Sequence, residues 1–168
     1  MDSRSVLPDL YFAVPRQSGG GLRSALAAHC DGADVTYAAL LEESGMVFAD
    51  AGDESMRDHG ETAALAVGAY HATQEVARRL GEQAFEGLCH EGKSRHFYIS
   101  PVDGRFMLLS VFGNDTRLAL VRASATRAAG ALRQALAEGA AAEPPQPVRG
   151  TTATEGDFHI TSDYFLPV

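Results

Sequence analysis

Two adjacent pairs, His29-Cys30 and Cys89-His90, are the residues of this sequence best equipped for metal or nucleophilic chemistry. Two thiols and two imidazoles are enough for a structural zinc, but zinc ligands usually stand two to four residues apart on a loop. Neighbours along a strand point to opposite faces, so adjacency works against a shared site. The same geometry weakens a Cys/His nucleophile. A reactive thiolate needs an electropositive setting, and Cys89 lies between Glu86 and Glu91. The spacing therefore favours core packing for the cysteines and partial exposure for the histidines. Neither a metal nor a catalytic residue is expected.

Other chemistry is equally poorly supported. Ser18-Gly19-Gly20-Gly21 lacks the lysine that completes a phosphate-binding P-loop, and reads as an entry into a helix. The sequence contains neither a GxSxG elbow nor a zinc-protease helix motif. Glu42-Glu43 sits at a turn, where solvated carboxylates are the default. Arg122 follows Leu120-Val121 near a helix start, where it suits either an acidic group on a partner or a structural ion pair. His96, Tyr98 and Ser100 alternate along one strand, as residues lining a small-ligand pocket or facing solvent do. No cofactor is implied.

The totals narrow the partners. A chain of 168 residues with 45% apolar and 21% charged residues is long enough for one domain with extensions. A net charge of −8 disfavours a nucleic-acid partner, which calls for a basic face. No apolar run reaches the roughly 20 residues needed to cross a bilayer, so no membrane insertion is expected. Two cysteines make no disulfide framework, and the first residues lack a signal-peptide pattern, so a cytoplasmic location is expected.

The elements follow from periodicity. Residues 1–20 form an arm containing Pro8 and Pro15. GLRSALAAHC, beginning at Gly21, has the spacing of a short helix that closes at Asp31-Gly32. VTYAALLE and GMVFAD read as a hairpin of strands covered on both faces. From Asp58 to Leu80 a long helix is expected, with Asp58 and Glu61 as a capping box and Gly81 just past its end. That helix carries two apolar stripes, Leu65-Ala69-Ala72-Val76-Leu80 and Ala63-Val67-Tyr70-Ala77, so it needs cover on two sides. AFEGLCHEG and SRHFYIS read as two more strands, and RFMLLSVFG as the central one. Asn114, Asp115 and Thr116 are alternative caps for a final helix ending near Gly139, with Leu118, Val121, Ala125, Ala128, Leu132 and Leu136 on its apolar face.

The order helix, two strands, long helix, three strands, long helix resembles the Roadblock family, which includes the dynein light chain and prokaryotic relatives. LLEESGMVFAD is similar to that family's first hairpin, and YISPVDGRFMLLSVFGNDTRLALVRASATRAAGAL to its closing hairpin and last helix. Ala119 stands where Gly is common in the family. The resemblance spans roughly residues 20–138. It implies an α/β (α+β) fold of order α-β-β-α-β-β-β-α, with a five-stranded, mainly antiparallel sheet and helices on both faces. The expected organisation is an arm at 1–20, the Roadblock-like domain at 21–139, a linker at 140–157 and a docking tail at 158–168.

The resemblance also implies a function. Roadblock proteins form homodimers, pairing their long central helices and third strands across a two-fold axis. They bind Ras-like small GTPases or motor subunits without activity of their own. The MglB-like branch, which is bacterial, acts as a GTPase-activating protein for an MglA-like GTPase by rearranging the GTPase's own residues. On this reading Ala63, Ala66, Val67, Tyr70, Thr73, Gln74, Ala77, Phe85 and Leu88 form a partner or dimer interface, with Arg122 as a further partner contact. Phe158, Ile160, Tyr164, Phe165 and Leu166 are docking residues of the tail, in cis or in trans. The alternatives are an adaptor subunit tethered by its tail and a small-ligand sensory module.

Overall fold

The structure, a computed structural model, describes residues 19–56 and 60–142. The expected tail, residues 1–18 of the expected arm and the cap residue Asp58 lie outside these; the arm's last two residues, Gly19 and Gly20, are instead the first of α1. The elements are α1 (Gly19–Ala33), β1 (Val35–Glu42), β2 (Val47–Gly52), a 3₁₀ turn (Glu54–Met56), α2 (Gly60–Arg79), β3 (Leu88–Glu91), β4 (Arg95–Pro101), β5 (Phe106–Gly113) and α3 (Leu118–Ala142). The strands form one antiparallel sheet in the order β2-β1-β5-β4-β3. RFMLLSVFG is thus central, as its unbroken apolar run requires. The helix expected to close at Asp31-Gly32 continues to Ala33. α3 runs past the expected Gly139 boundary because Ala140-Ala141-Ala142 continue it with the best helix former.

The strands β1 and β5 are apolar on both faces because each face has its own cover. One core joins α1 and α3 to Ala38, Leu40, Phe106, Leu108 and Phe112. The other joins α2 to Tyr37, Ala39, Leu41, Ile99, Met107, Leu109 and Val111. Val35 and Tyr37 fall into different cores although side chains two apart on a strand normally share a face. The β1–β5 register shifts between Val35 and Tyr37, and the extra residue, Thr36, inverts the alternation. The Thr36 hydroxyl donates to the Val111 carbonyl at 2.9 Å across that bulge.

Local sequence sets the element ends. Gly81 has φ +82°, and the amides of Gly81 and Glu82 donate to the carbonyls of Arg78 and Ala77. This is a Schellman closure of α2, which needs φ > 0 at that position. Arg78 and Arg79 occupy the last turn, where cations suit the helix dipole. At the start of α3, the Arg117 carbonyl takes the first helical bonds, from the amides of Leu120 and Val121. The three expected cap residues have other roles or none at the cap. The Thr116 hydroxyl donates to the Asp34 carbonyl at 2.8 Å, and the Asn114 side chain joins His96 and the Lys93 carbonyl.

Candidate protein-binding face

α2 separates its two stripes sharply. Ala63, Ala66, Val67, Tyr70 and Ala77 are buried in the chain's own structure. They were expected at a partner or dimer contact; the structure packs the first four against β1, β4 and β5 instead. A sheet whose α2-facing side carries Tyr37, Leu41, Leu109 and Val111 requires such a cover, and this stripe supplies it. Thr73 donates to the Ala69 carbonyl. Gln74 holds the loop before β3, donating from Nε2 to the Phe85 carbonyl at 3.1 Å and accepting from the Phe85 amide at 3.0 Å. Phe85 and Leu88 are half-buried, Leu88 against the α2-side core.

The second stripe stays open. Leu65, Val76 and Leu80 are 75%, 50% and 70% exposed, beside the half-buried Ala69 and exposed Ala72. Below Leu65 and Ala69 lies a groove of about 380 Å³ between α2 and the sheet, with Met56, Phe97, Leu109 and Val111 on its walls. Phe97 stacks on His90 of β3 with ring centroids 5.0 Å apart. Since β3 is an edge strand, apolar surface continues from the α2 stripe through the groove toward an unpaired edge. A contiguous apolar surface of this kind marks a protein contact more often than a solvated face. Gly45, in the β1–β2 turn, is what lets α2 sit so close: a Cβ on it would fall 2.5 Å from the Ala64 Cα.

The candidates for chemistry do not converge. Among the described residues no group of three His, Cys, Asp or Glu side chains is placed to hold a metal. His29 is not partly exposed, as expected, but 2% exposed. It shares the α1 core stripe with Leu22, Leu26 and Ala33, and its ring lies between Ser124 Oγ (2.9 Å) and Ser110 Oγ (2.8 Å). Burial, with the nearby Arg127 charge, lowers its pKa to about 4. Burial raises the Cys30 thiol to about 11, and Cys89 is also shifted up, so neither sulfur is an activated thiolate.

On the opposite side of the sheet from α2, Tyr98 and Ser100 share a cleft of about 420 Å³ with Arg122. His96 does not join them; its Nε2 bonds Asn114 Oδ1 at 2.7 Å. The Arg122 guanidinium lies 5.7 Å above the Tyr98 ring centroid. The nearness of Arg122 to Tyr98, twenty-four residues away, follows from α3 packing over β4 and has no signal in the local sequence.

Among the described residues no helix is long and apolar enough to cross a membrane. A single sheet with α1 and α3 on one face and α2 on the other, with one apolar stripe of α2 left uncovered, defines a small α+β domain. The Roadblock/LC7 domain matches residues 29–112, and the chain belongs to that family. Its structure places it with the MglB-like branch. MglB of Myxococcus xanthus is 25% identical with a TM-score of 0.65, over 71% of this chain and 90% of that one. The gliding protein MglB of Thermus thermophilus is 25% identical with a TM-score of 0.66, over 79% and 99%. An MglB described as having a tetrameric arrangement is 26% identical with a TM-score of 0.64, over 80% and 99%. Among curated proteins none matches the chain.

Proposed function

We propose that this chain is a non-catalytic, homodimeric regulator or scaffold for a Ras-like, MglA-like small GTPase, acting in the cytoplasm. The observation that carries this reading is the open α2 stripe, Leu65, Val76 and Leu80, continuous with the apolar groove and the free edge of β3. A second copy would lay its own α2 stripe over that groove and its β3 along that edge, an isologous contact in which each copy uses the same patch. The likeness to MglB structures, one of them tetrameric, supports self-association. The likeness to a gliding protein supports a role in gliding.

In this reading the paired α2 helices present a rigid platform, and regulation is differential binding. A partner is shifted between its nucleotide states only as far as its affinity for the platform differs between them. Stimulated hydrolysis would then come from rearranging the partner's own residues.

The deciding experiment is a pull-down from source-cell lysate with GDP or a non-hydrolysable GTP analogue, using the natural chain and Leu65→Glu side by side. A small GTPase retained in one nucleotide condition, and lost with the variant, is the expected result. Recovery of the same proteins in both conditions, with no GTPase among them, would reject the regulator in favour of an adaptor subunit.

A further inference from the structure

The cleft between α3 and β4 lies on the face of the sheet away from α2, and the platform reading gives it no role. Two guanidinium groups border it. Arg133 is held by its own bond, donating from Nη1 to the Val102 carbonyl at 2.7 Å, so its charge stays at the rim. Arg122 rests above the Tyr98 ring and has no carboxylate partner among the described residues. The floor is apolar and small, with Ala125 and Ala129 almost fully buried, and Ser100 offers a hydroxyl beside them. Among the described residues Glu86 is the one acid at the edge, leaving an excess of positive charge in a chain of net charge −8. An arginine over an aromatic ring beside an apolar floor is suited to a segment that alternates carboxylates with aromatic side chains.

The chain carries such a segment beyond the described residues. DFHITSDYFLPV, 157–168, contains Asp157 and Asp163 with Phe158, Tyr164 and Phe165, and no lysine or arginine. It follows α3, the helix that forms the cleft. Arg133 lies nine residues and Arg122 twenty residues before Ala142, a distance back along the helix of about 14 to 30 Å. The fourteen residues 143–156 can span at most roughly 46 to 50 Å. The segment can therefore return to the cleft on the same face without passing a sheet edge. Reaching the apolar groove under α2 would require it to go around the sheet.

We propose that residues 157–168 dock in cis in the α3–β4 cleft, with the carboxylates of Asp157 and Asp163 toward Arg122 and Arg133 and the aromatic side chains on the Tyr98, Ala125 and Ala129 floor. Docking there leaves the α2 platform free, so the tail and the partner surface work on opposite faces of one sheet.

The chain has no tryptophan, so Phe165→Trp in the full-length protein gives a single reporter. Docking predicts blue-shifted emission and protection from acrylamide, both unchanged on dilution. Adding Arg122→Glu should move the emission to that of solvated indole, and combining Arg122→Glu and Arg133→Glu with Asp157→Arg and Asp163→Arg, so that both charge pairs are reversed, should restore the shift. In the natural chain, Arg122→Glu should also speed amide exchange across 158–166. A solvated indole in the parent reporter, together with unprotected amides in the natural chain, would overturn the proposal. So would indifference to Arg122→Glu in a chain whose circular dichroism is unchanged. A blue shift that fades on dilution would mean docking between copies and would overturn the cis arrangement.

Discussion

His29 Nδ1 lies 2.9 Å from Ser124 Oγ, joining α1 to α3 across 95 residues, while Nε2 of the same ring reaches Ser110 on the central strand. The three side chains are all buried, so the ring is a polar tie between the two helices and the sheet. Each hydroxyl both donates and accepts, and the neutral ring needs one donor and one acceptor. The tie is therefore satisfied without a charge.

A pH dependence follows. The folded pKa of about 4 lies below the ordinary histidine value of 6.5, so the folded state binds fewer protons than the unfolded chain between these limits. The contribution is fully present above pH 6.5 and is lost as pH falls toward 4. Between pH 7 and pH 5 it amounts to roughly 2 kcal/mol. Urea unfolding at both pH values should show a larger loss for the natural chain than for His29→Gln. Equal losses would mean that His29 is solvated in the folded state.

The exposed α2 stripe predicts a separation of stability from assembly. Leu65 and Leu80 are 75% and 70% exposed, so Leu65→Glu and Leu80→Glu should change the unfolding free energy of the monomer, measured at concentrations where the natural chain is dissociated, by less than about 0.5 kcal/mol. Both should abolish self-association, because a charge would be buried in an apolar contact. Light scattering after size exclusion gives the mass directly. A dimer that persists in the double variant would place the contact elsewhere.

Much of this arrangement was legible from residue spacing, and the remainder was not for identifiable reasons. The two stripes of α2 and the central place of RFMLLSVFG followed from periodicity. Which stripe met the sheet did not, because two Ala-rich stripes of similar character differ only in the surface opposite them. The expectation puts the Ala63–Ala77 stripe at a partner, and the sheet takes Ala63, Val67 and Tyr70 of it. Nothing near His29 in the sequence marks its burial, because its partners, Ser110 and Ser124, lie 81 and 95 residues away. The bulge at Thr36 has no local mark, since it becomes visible only when β1 is aligned with β5.

Gly45 is where the β1–β2 turn meets α2. It has φ +89°, and its missing Cβ would lie 2.5 Å from the Ala64 Cα. Gly45→Ala combines a disfavoured backbone conformation with a collision against helix backbone, and should cost roughly 2 kcal/mol or more. The helix should move before the sheet does. Amide exchange is expected to rise in α2 ahead of β1 and β5; a uniform rise across all three would show that α2 and the sheet unfold as one unit.

Gln74 controls the approach to β3 through its two bonds with the Phe85 backbone. Gln74→Ala removes both and leaves a half-buried amide and carbonyl to find water, at a cost of about 1 to 2 kcal/mol. Gln74→Glu keeps the acceptor for the Phe85 amide and loses the donor to its carbonyl, so it should fall between the two. The functional consequence lies at the edge strand: with the loop released, β3 loses its fixed entry, and an edge that pairs with a second copy would pair less tightly. The dimer dissociation constant should therefore rise in the order natural chain, Gln74→Glu, Gln74→Ala. If stability falls in that order while the dissociation constant stays fixed, β3 pairing plays no part in assembly and the α2 stripe alone holds the dimer.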